Sequence, residues 1–271
     1  MLLPNRNKIA GQDIYLLKWF RPRRDGTDPM NTNDIKALTF DTGGTILDWH
    51  TGFATALKSV GEVHQIERDW GGVANDLRRR SLGKMVNLGE DVPPQYNFDD
   101  AHRMALDEVC VANGLDSFTE KERYSIWWDA VHNLTTWPDF PAVLPKLRQQ
   151  FICVSFTILS FRIVMDTAKR NALSWDAVLS CEAIGKYKVL PEAYERAAHY
   201  LQLEPHQCCM VACHNWDLDA AKAAGFKTAF VRRPDEWGDE GPPDPEPNPK
   251  HDLIVDNFPS LARELGLPAS E

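Results

Sequence analysis

The 271-residue sequence predicts an α/β fold, a doubly wound parallel sheet with an all-helical block inserted after its first strand. Three observations carry that expectation. Short apolar runs of strand length end abruptly in polar or glycine-rich turns, as strands buried on both faces do. After Pro138 these runs alternate with segments of helical periodicity, the pattern that parallel crossover units leave in a sequence. Between Thr51 and Trp137 apolar residues recur at three- and four-residue intervals and no convincing strand interrupts them.

In chain order, Ile35 to Phe40 (IKALTF) reads as the first strand, closed by Asp41 and the Gly43–Gly44 pair. Four helical stretches follow: FATALKSVGEVH, WGGVANDLRRRSLGKM, FDDAHRMALDEVCVANG and TEKERYSIWWDAVHNL. A helix near Ala142 to Gln149 then leads to strand Phe151 to Phe156, helix Arg162 to Asn171 and strand Ala177 to Leu179. Next come helix Pro191 to Leu201, strand Cys209 to Ala212, helix Leu218 to Ala224 and strand Thr228 to Val231. Gly241 to Pro249 (GPPDPEPNP) is too rich in proline to continue a helix or a central strand and reads as an exposed loop before a last strand, Asp252 to Val255. The expected division is therefore 34–50 with 138–271 as the sheet domain and 51–137 as the helical block. Residues 1–29 stand apart, with six basic against three acidic side chains, so +3 there and -12 in the remainder of a chain whose net charge is -9. With Trp19 and Phe20 such a segment can touch a membrane surface, but Met30 opens a cleaner start into the first strand. The leader is expected to be a loosely ordered, dispensable extension.

Composition narrows the function. At 43% hydrophobic and 25% charged the chain is an ordinary globular protein. Thirty basic against 39 acidic residues is the wrong sign for a broad phosphate-binding surface, which excludes nucleic acid as a natural partner. No window approaches the roughly 18 apolar residues that a membrane span requires, and Lys18 breaks the best apolar run near the N-terminus. The six cysteines (Cys110, Cys153, Cys181, Cys208, Cys209, Cys213) form no CxxC pair and lie in apolar segments, the usage of reduced core thiols in a cytoplasmic protein.

Ligands of an open parallel sheet collect outside the carboxyl ends of its strands. Four polar residues fall there: Asp41 after LTF, Thr157 after VSF, Lys188 in the loop after AVLS, and Asp217 beyond MVA at a helix start. Singly, each has a bland explanation: a turn former, a loop hydroxyl, a solvated charge, a helix cap. Together they come in chain order, one per crossover unit, and a set of polar residues at one sheet edge is what a catalytic cleft contains.

In that order, DTGGT (Asp41 to Thr45), Thr157, Lys188 and MVACHNWDLDAAKAAGFKTAFVRRP resemble the four motifs of the haloacid dehalogenase superfamily, in the variant of its L-2-haloacid dehalogenases. The resemblance spans Asp34 to Gly266 and implies a Rossmann-like core, a helical cap over the site and an aspartate nucleophile, Asp41. Phosphatases of the superfamily place a second carboxylate two residues after the nucleophile and another four residues before the position of Asp217; here those positions hold Gly43 and Cys213. A Mg²⁺-dependent phosphatase is thus disfavoured, and no metal or cofactor is expected. The implied chemistry is attack of Asp41 on the carbon bearing a leaving group, followed by hydrolysis of the aspartyl ester. Lys188 would keep Asp41 ionised, Asp217 would hold Lys188 and help position water, and Thr157 with the backbone N–H groups of the turn Asp41 to Thr45 would bind the substrate carboxylate or the charge that develops in ester hydrolysis. Thr42, Thr45, Tyr194 and His214 are further candidates for substrate contact, His214 otherwise being a satisfied loop histidine. Arg78 is the candidate for the departing halide; of the run Arg78, Arg79, Arg80 at most one side chain can face the site. Ile158, Ala212 and His214 stand where the dehalogenases commonly carry asparagine, serine and asparagine, which bears on substrate identity. The resemblance implies a small 2-substituted carboxylic acid as the partner, most simply an (S)-2-haloacid, and permits a homodimer. A non-catalytic binding protein is disfavoured because a buried triad of charges is costly to keep without use.

Overall fold

The computed structural model describes residues 34–89 and 95–267. The expectation of a loose leader at 1–29 lies outside the described residues.

Strand β1 (Ala37–Phe40) opens the sheet, and helices α1 (Trp49–Val63), α2 (Trp70–Val86), α3 (Phe98–Ala112) and α4 (Glu120–Tyr124) follow it, the last running into a π-helical turn at Ser125–Ala130. Each helix begins on a side-chain cap. Asp48 accepts from Thr51 N–H, Asp69 from Gly72 N–H, and Asn97 and Thr119 form reciprocal capping boxes with Asp100 and Glu122. Asp48 and Trp49 are why the first helix starts before the expected Phe53. The chain returns through a short helix α5 (Leu144–Leu147), well inside the expected 142–149 because prolines at 141 and 145 limit the run.

From there the alternation follows the expected order: β2 (Ile152–Thr157), α6 (Phe161–Arg170), β3 (Ala177–Ser180), α7 (Cys181–Ile184), α8 (Pro191–Tyr200), β4 (Cys208–Ala212), α9 (Asn215–Ala223), β5 (Lys227–Val231), β6 (Leu253–Val255) and α10 (Phe258–Glu264). Two of these helices, α7 and α10, are absent from the sequence reading, and α9 starts before the expected Leu218. The six strands form one sheet in the order β3-β2-β1-β4-β5-β6, and every pairing is parallel. Strand β1 is central, with Ala37 opposite both Ile152 and Cys208. Its neighbours lie on opposite sides and are reached by crossovers in opposite directions, so a crevice opens at its carboxyl end.

The helical block leaves and re-enters the sheet layer at one place. Asp48 N–H donates to Thr135 O, Trp137 N–H donates to Ile46 O, and Leu47 forms an antiparallel bridge with Thr136. Within the block α2 packs against both α1 and α3. All six cysteines are buried and unpaired, and among the described residues no helix is long and apolar enough to cross a membrane.

Candidate active site

Five strands deliver one or more polar side chains to the crevice. Asp41 directly follows β1, Thr157 is the last residue of β2, Lys188 lies beyond β3 and α7, Asp217 is in the first turn of α9 after β4, and Glu236 follows β5. The turn after β1 is clamped through three successive carbonyls. Arg78 Nη2 donates to Gly43 O (3.2 Å), Trp137 Nε1 to Gly44 O (2.7 Å) and Arg233 Nε to Thr45 O (2.9 Å). Gly44 is required twice: its φ is +94°, and a Cβ there would sit 2.0 Å from Glu236 Oε1.

Asp41, 4% exposed, is held from three sides. Lys188 Nζ lies 3.3 Å from Oδ1, Thr45 Oγ1 donates to Oδ2 at 2.8 Å, and His214 Nδ1 stands 3.2 Å from Oδ2 without hydrogen-bond alignment. Burial alone would raise its pKa, but the Lys188 ammonium, reinforced by His214 and the Thr45 hydroxyl, holds this carboxyl well below the usual range. Asp41 is therefore an anion with little competing hydration, the form a nucleophile needs. Lys188 is fully buried, 2.7 Å from Asp217 Oδ2 and 4.7 Å from the centroid of the Phe156 ring. Burial opposes its charge; Asp217 and Asp41 outweigh it, so its pKa lies above the ordinary lysine value. Asp217 is pushed upward by burial and by Asp41, against the pull of Lys188 and of Tyr194, whose hydroxyl donates to Oδ1 at 2.7 Å.

A second set of charges lies beside the first. Glu236, 1% exposed, accepts from Trp49 Nε1 at 2.9 Å and lies 3.1 Å from His214 Nε2. Burial would raise its pKa, yet His214 and Arg78 hold it below the ordinary glutamate value. For His214 burial opposes protonation; the Glu236 carboxylate and Asp41, with the hydrogen bond to the Cys213 sulfur, overrule it and raise the ring well above the usual histidine range. Arg78 is 3% exposed, lies 5.3 Å over the Trp49 ring, and carries a buried Nε with no protein partner. Asp41, Asp217 and Glu236 are thus balanced by Lys188, Arg78 and His214.

The candidates from sequence divide accordingly. Asp41, Lys188, Asp217, His214 and Arg78 converge. Of the three consecutive arginines only Arg78 turns inward: Arg79 pairs with Glu240, and Arg80 with Asp76 and Glu108, on exposed faces. Thr157 is fully buried and its hydroxyl accepts from Leu159 N–H at 3.2 Å. The hydroxyls of the other three expected substrate contacts go to protein partners. Thr42 Oγ1 lies 2.7 Å from Ser155 Oγ; Thr45 serves Asp41 and accepts from Cys213 N–H; Tyr194 supports Asp217. Thr42 is turned into the sheet, while Thr45 and Tyr194 act one step behind the carboxylates. Sequence reasoning passes over Glu236, although the strand-end rule that finds Asp41 also finds it: it closes RRPDE after the strand expected at Thr228 to Val231.

The donor set does not suit Mg²⁺. Position 43 is filled from outside by the Arg78 guanidinium, 3.4 Å from where a Cβ would stand, Cys213 carries no carboxylate, and the oxygens of Asp217 are taken by Lys188 and Tyr194. Cys213, His214 and Glu236 are the one grouping among the described residues whose atoms converge within 4.8 Å as metal ligands would. They already bond one another, with Cys213 Sγ 3.4 Å from His214 Nε2, and burial pushes the Cys213 thiol up to about 11, so it is neutral.

Residues 35–225 match the family of haloacid dehalogenase-like hydrolases. An (S)-2-haloacid dehalogenase from Pseudomonas sp. (strain CBS-3) is 27% identical over 219 residues, 73% of this chain and 85% of that protein. The crystal structure of a defluorinating L-2-haloacid dehalogenase superposes with a TM-score of 0.78 at 32% identity, covering 86% of this chain and 95% of that one. A second L-2-haloacid dehalogenase structure also gives 0.78, at 28% identity over 85% and 99% of the two chains. With the motif residues gathered at the carboxyl edge of a parallel sheet and the family match spanning most of its length, the chain belongs to the haloacid dehalogenase-like hydrolases.

Proposed function

We propose that the protein is a metal-independent hydrolase that replaces the halogen of an (S)-2-haloacid with hydroxyl through an ester on Asp41. The observation that carries this reading is the pairing of an anionic, buried Asp41 with the Arg78 guanidinium at Gly43, where a phosphatase would keep its acid. A halide leaves as an anion and needs a cation, not a proton.

In the first step an Asp41 oxygen bonds to C2, the carbon–halogen bond breaks, and the halide takes the electron pair toward Arg78, whose unpartnered Nε is a donor in a dry setting. In the second, water adds to the Asp41 carboxyl carbon and the ester C–O bond breaks, releasing the 2-hydroxy acid and leaving one water oxygen in Asp41. Esterification itself prepares this step. It removes the negative charge beside His214 Nδ1, so the ring gives up its proton to solvent; the neutral ring, still anchored by Glu236, then takes a proton from the attacking water and passes it to the departing alkoxide, and the proton shed as Asp41 returns to its carboxylate form restores the imidazolium. Lys188 and Asp217 keep the carboxyl in place throughout. In this reading residues 51–137 act as a cap over a core of 34–50 and 138–271, and the six free thiols suit the reducing cytoplasm.

A single turnover in ¹⁸O-water with enzyme in excess tests the reading, with fluoroacetate included because a 32%-identical relative is a defluorinating enzyme. The label is expected in Asp41 and not in the first product; label in that product shows direct attack by water. Asp41→Asn is expected to abolish halide release, and chelator to leave the wild-type rate unchanged.

A further inference from the structure

Cys213, His214 and Glu236 come from two strand ends beside Asp41: the first two follow β4 and the third follows β5. Cys213 Sγ lies 3.4 Å from His214 Nε2 and 3.5 Å from Glu236 Oε2, and His214 Nε2 lies 3.1 Å from Glu236 Oε1. Zinc bound tetrahedrally, with Zn–S of about 2.3 Å and Zn–N and Zn–O of about 2.0–2.2 Å, sets its ligand atoms about 3.3–3.6 Å apart. The three side chains therefore stand close to the spacing of three corners of a zinc tetrahedron. The donors also match in kind. One sulfur, one imidazole nitrogen and one carboxylate oxygen suit zinc, whereas Mg²⁺ takes oxygen alone.

Each of the three is oriented from behind, as zinc ligands are. His214 Nδ1 faces Asp41 Oδ2 at 3.2 Å, Trp49 Nε1 donates to Glu236 Oε1 at 2.9 Å, and Thr45 Oγ1 lies 3.4 Å from the Cys213 sulfur. A cavity of about 80 Å³, several times the roughly 10–15 Å³ that one water requires, opens on Cys213 between Phe230, Arg233, Pro242 and Asp244. It gives an ion a path to the sulfur. Exchange of protons for zinc also leaves the charge of the cluster unchanged. In the free protein the His214 imidazolium and the Glu236 carboxylate cancel beside a neutral thiol. With zinc, the Cys213 thiolate and the Glu236 carboxylate cancel the ion beside a neutral imidazole, and the protons of Sγ and Nε2 leave to solvent. Arg78 and Asp41 meet no new net charge.

We propose that Cys213, His214 and Glu236 form an inhibitory zinc site that arrests the enzyme after a single attack. The binding stands on the ligand geometry; the arrest rests on the dehalogenation reading above. Zinc on Nε2 leaves the one proton of the ring on Nδ1, toward Asp41, so the ring accepts no proton from the attacking water. Asp41 and Lys188 lie outside the ligand set, so the first step proceeds and the ester stays on Asp41.

The experiment titrates full-length, untagged protein, first freed of metal by chelator, with Zn²⁺ by calorimetry and with Co²⁺ by absorption, in wild type and Cys213→Ala. One ion per chain and a thiolate-to-cobalt charge-transfer band that zinc displaces are expected. Cys213→Ala should lose the band, and more than the roughly 10–100-fold in zinc affinity that removal of an outer-shell partner costs. A wild type without the band, or a variant that binds zinc as tightly as wild type, overturns the site. The band and its displacement are read on the wild type, so they decide the site even if the variant fails to fold. With (S)-2-bromopropionate, zinc-saturated wild type should release one halide per chain and then stop with the Asp41 ester accumulated. Undiminished turnover at saturating zinc, or loss of the first halide as well, overturns the arrest. If no haloacid reacts without zinc, the dehalogenation reading falls, and the cobalt band alone decides the site.

Discussion

At the scale of single residues, the site works because opposite charges share a water-poor space. Glu236 is the member whose role separates the two half-reactions. Glu236→Gln keeps the shape but removes the charge that anchors His214, so attack by Asp41 should persist while ester hydrolysis slows about a hundredfold or more. The check is mass spectrometry of the quenched enzyme, which should show the Asp41 ester accumulating in the variant and not in wild type. The same charges set a pH dependence of stability. Asp41 is depressed in the folded state, so its contribution is present above the unfolded value near 4 and is lost as pH falls through the lower folded value. His214 is raised, so its contribution is complete below the unfolded value near 6.5 and is lost as pH rises through the folded one. Urea unfolding should therefore show wild type most favoured over His214→Gln between about pH 4 and 6.5, with the difference shrinking in alkali. Of the residues in this cluster, the four at the ends of β1 to β4 were legible because one geometric rule places them. Which way Thr42, Thr45 and Tyr194 direct their hydroxyls was not, since that depends on Ser155, Asp41 and Asp217, partners distant in sequence.

At the scale of elements, two glycines of the helical block make opposite predictions. Gly61 in α1 lets the Trp70 ring lie against the backbone, and a Cβ there would stand 2.1 Å from Trp70 Cζ2. Gly61→Ala must displace that ring or separate α1 from α2, at a cost of roughly 1–3 kcal/mol. Gly83 faces open space, and Gly83→Ala should stabilise by roughly 0.5–1 kcal/mol through helix propensity alone. Thermal melts of the two variants should move in opposite directions. The strands were readable to within two residues because a buried parallel strand is a continuous apolar run that a turn must close; β4, expected from Cys209, begins at Cys208. The π-helical turn at Ser125–Ala130 was not, for SIWWDA carries apolar spacing that an ordinary helix also satisfies.

At the scale of the whole molecule, the sheet order explains both the site and an obligation that comes with it. The crevice exists because the two neighbours of β1 come from opposite directions, and both are C-terminal to the helical block. During synthesis the first strand therefore emerges long before either partner: Ala37–Phe40 must wait until Ile152–Thr157, and then Cys208–Ala212, have left the ribosome. The helices between them rely on contacts near in sequence and are free to form while the strand waits, whereas the sheet depends on pairings distant along the chain, which form slowly. Asp41 follows that waiting strand by one residue. The newborn chain thus carries an unpaired apolar strand for as long as the helical block is being made, a demand on chaperones, and Asp41 gains its full surroundings only once Glu236 has emerged.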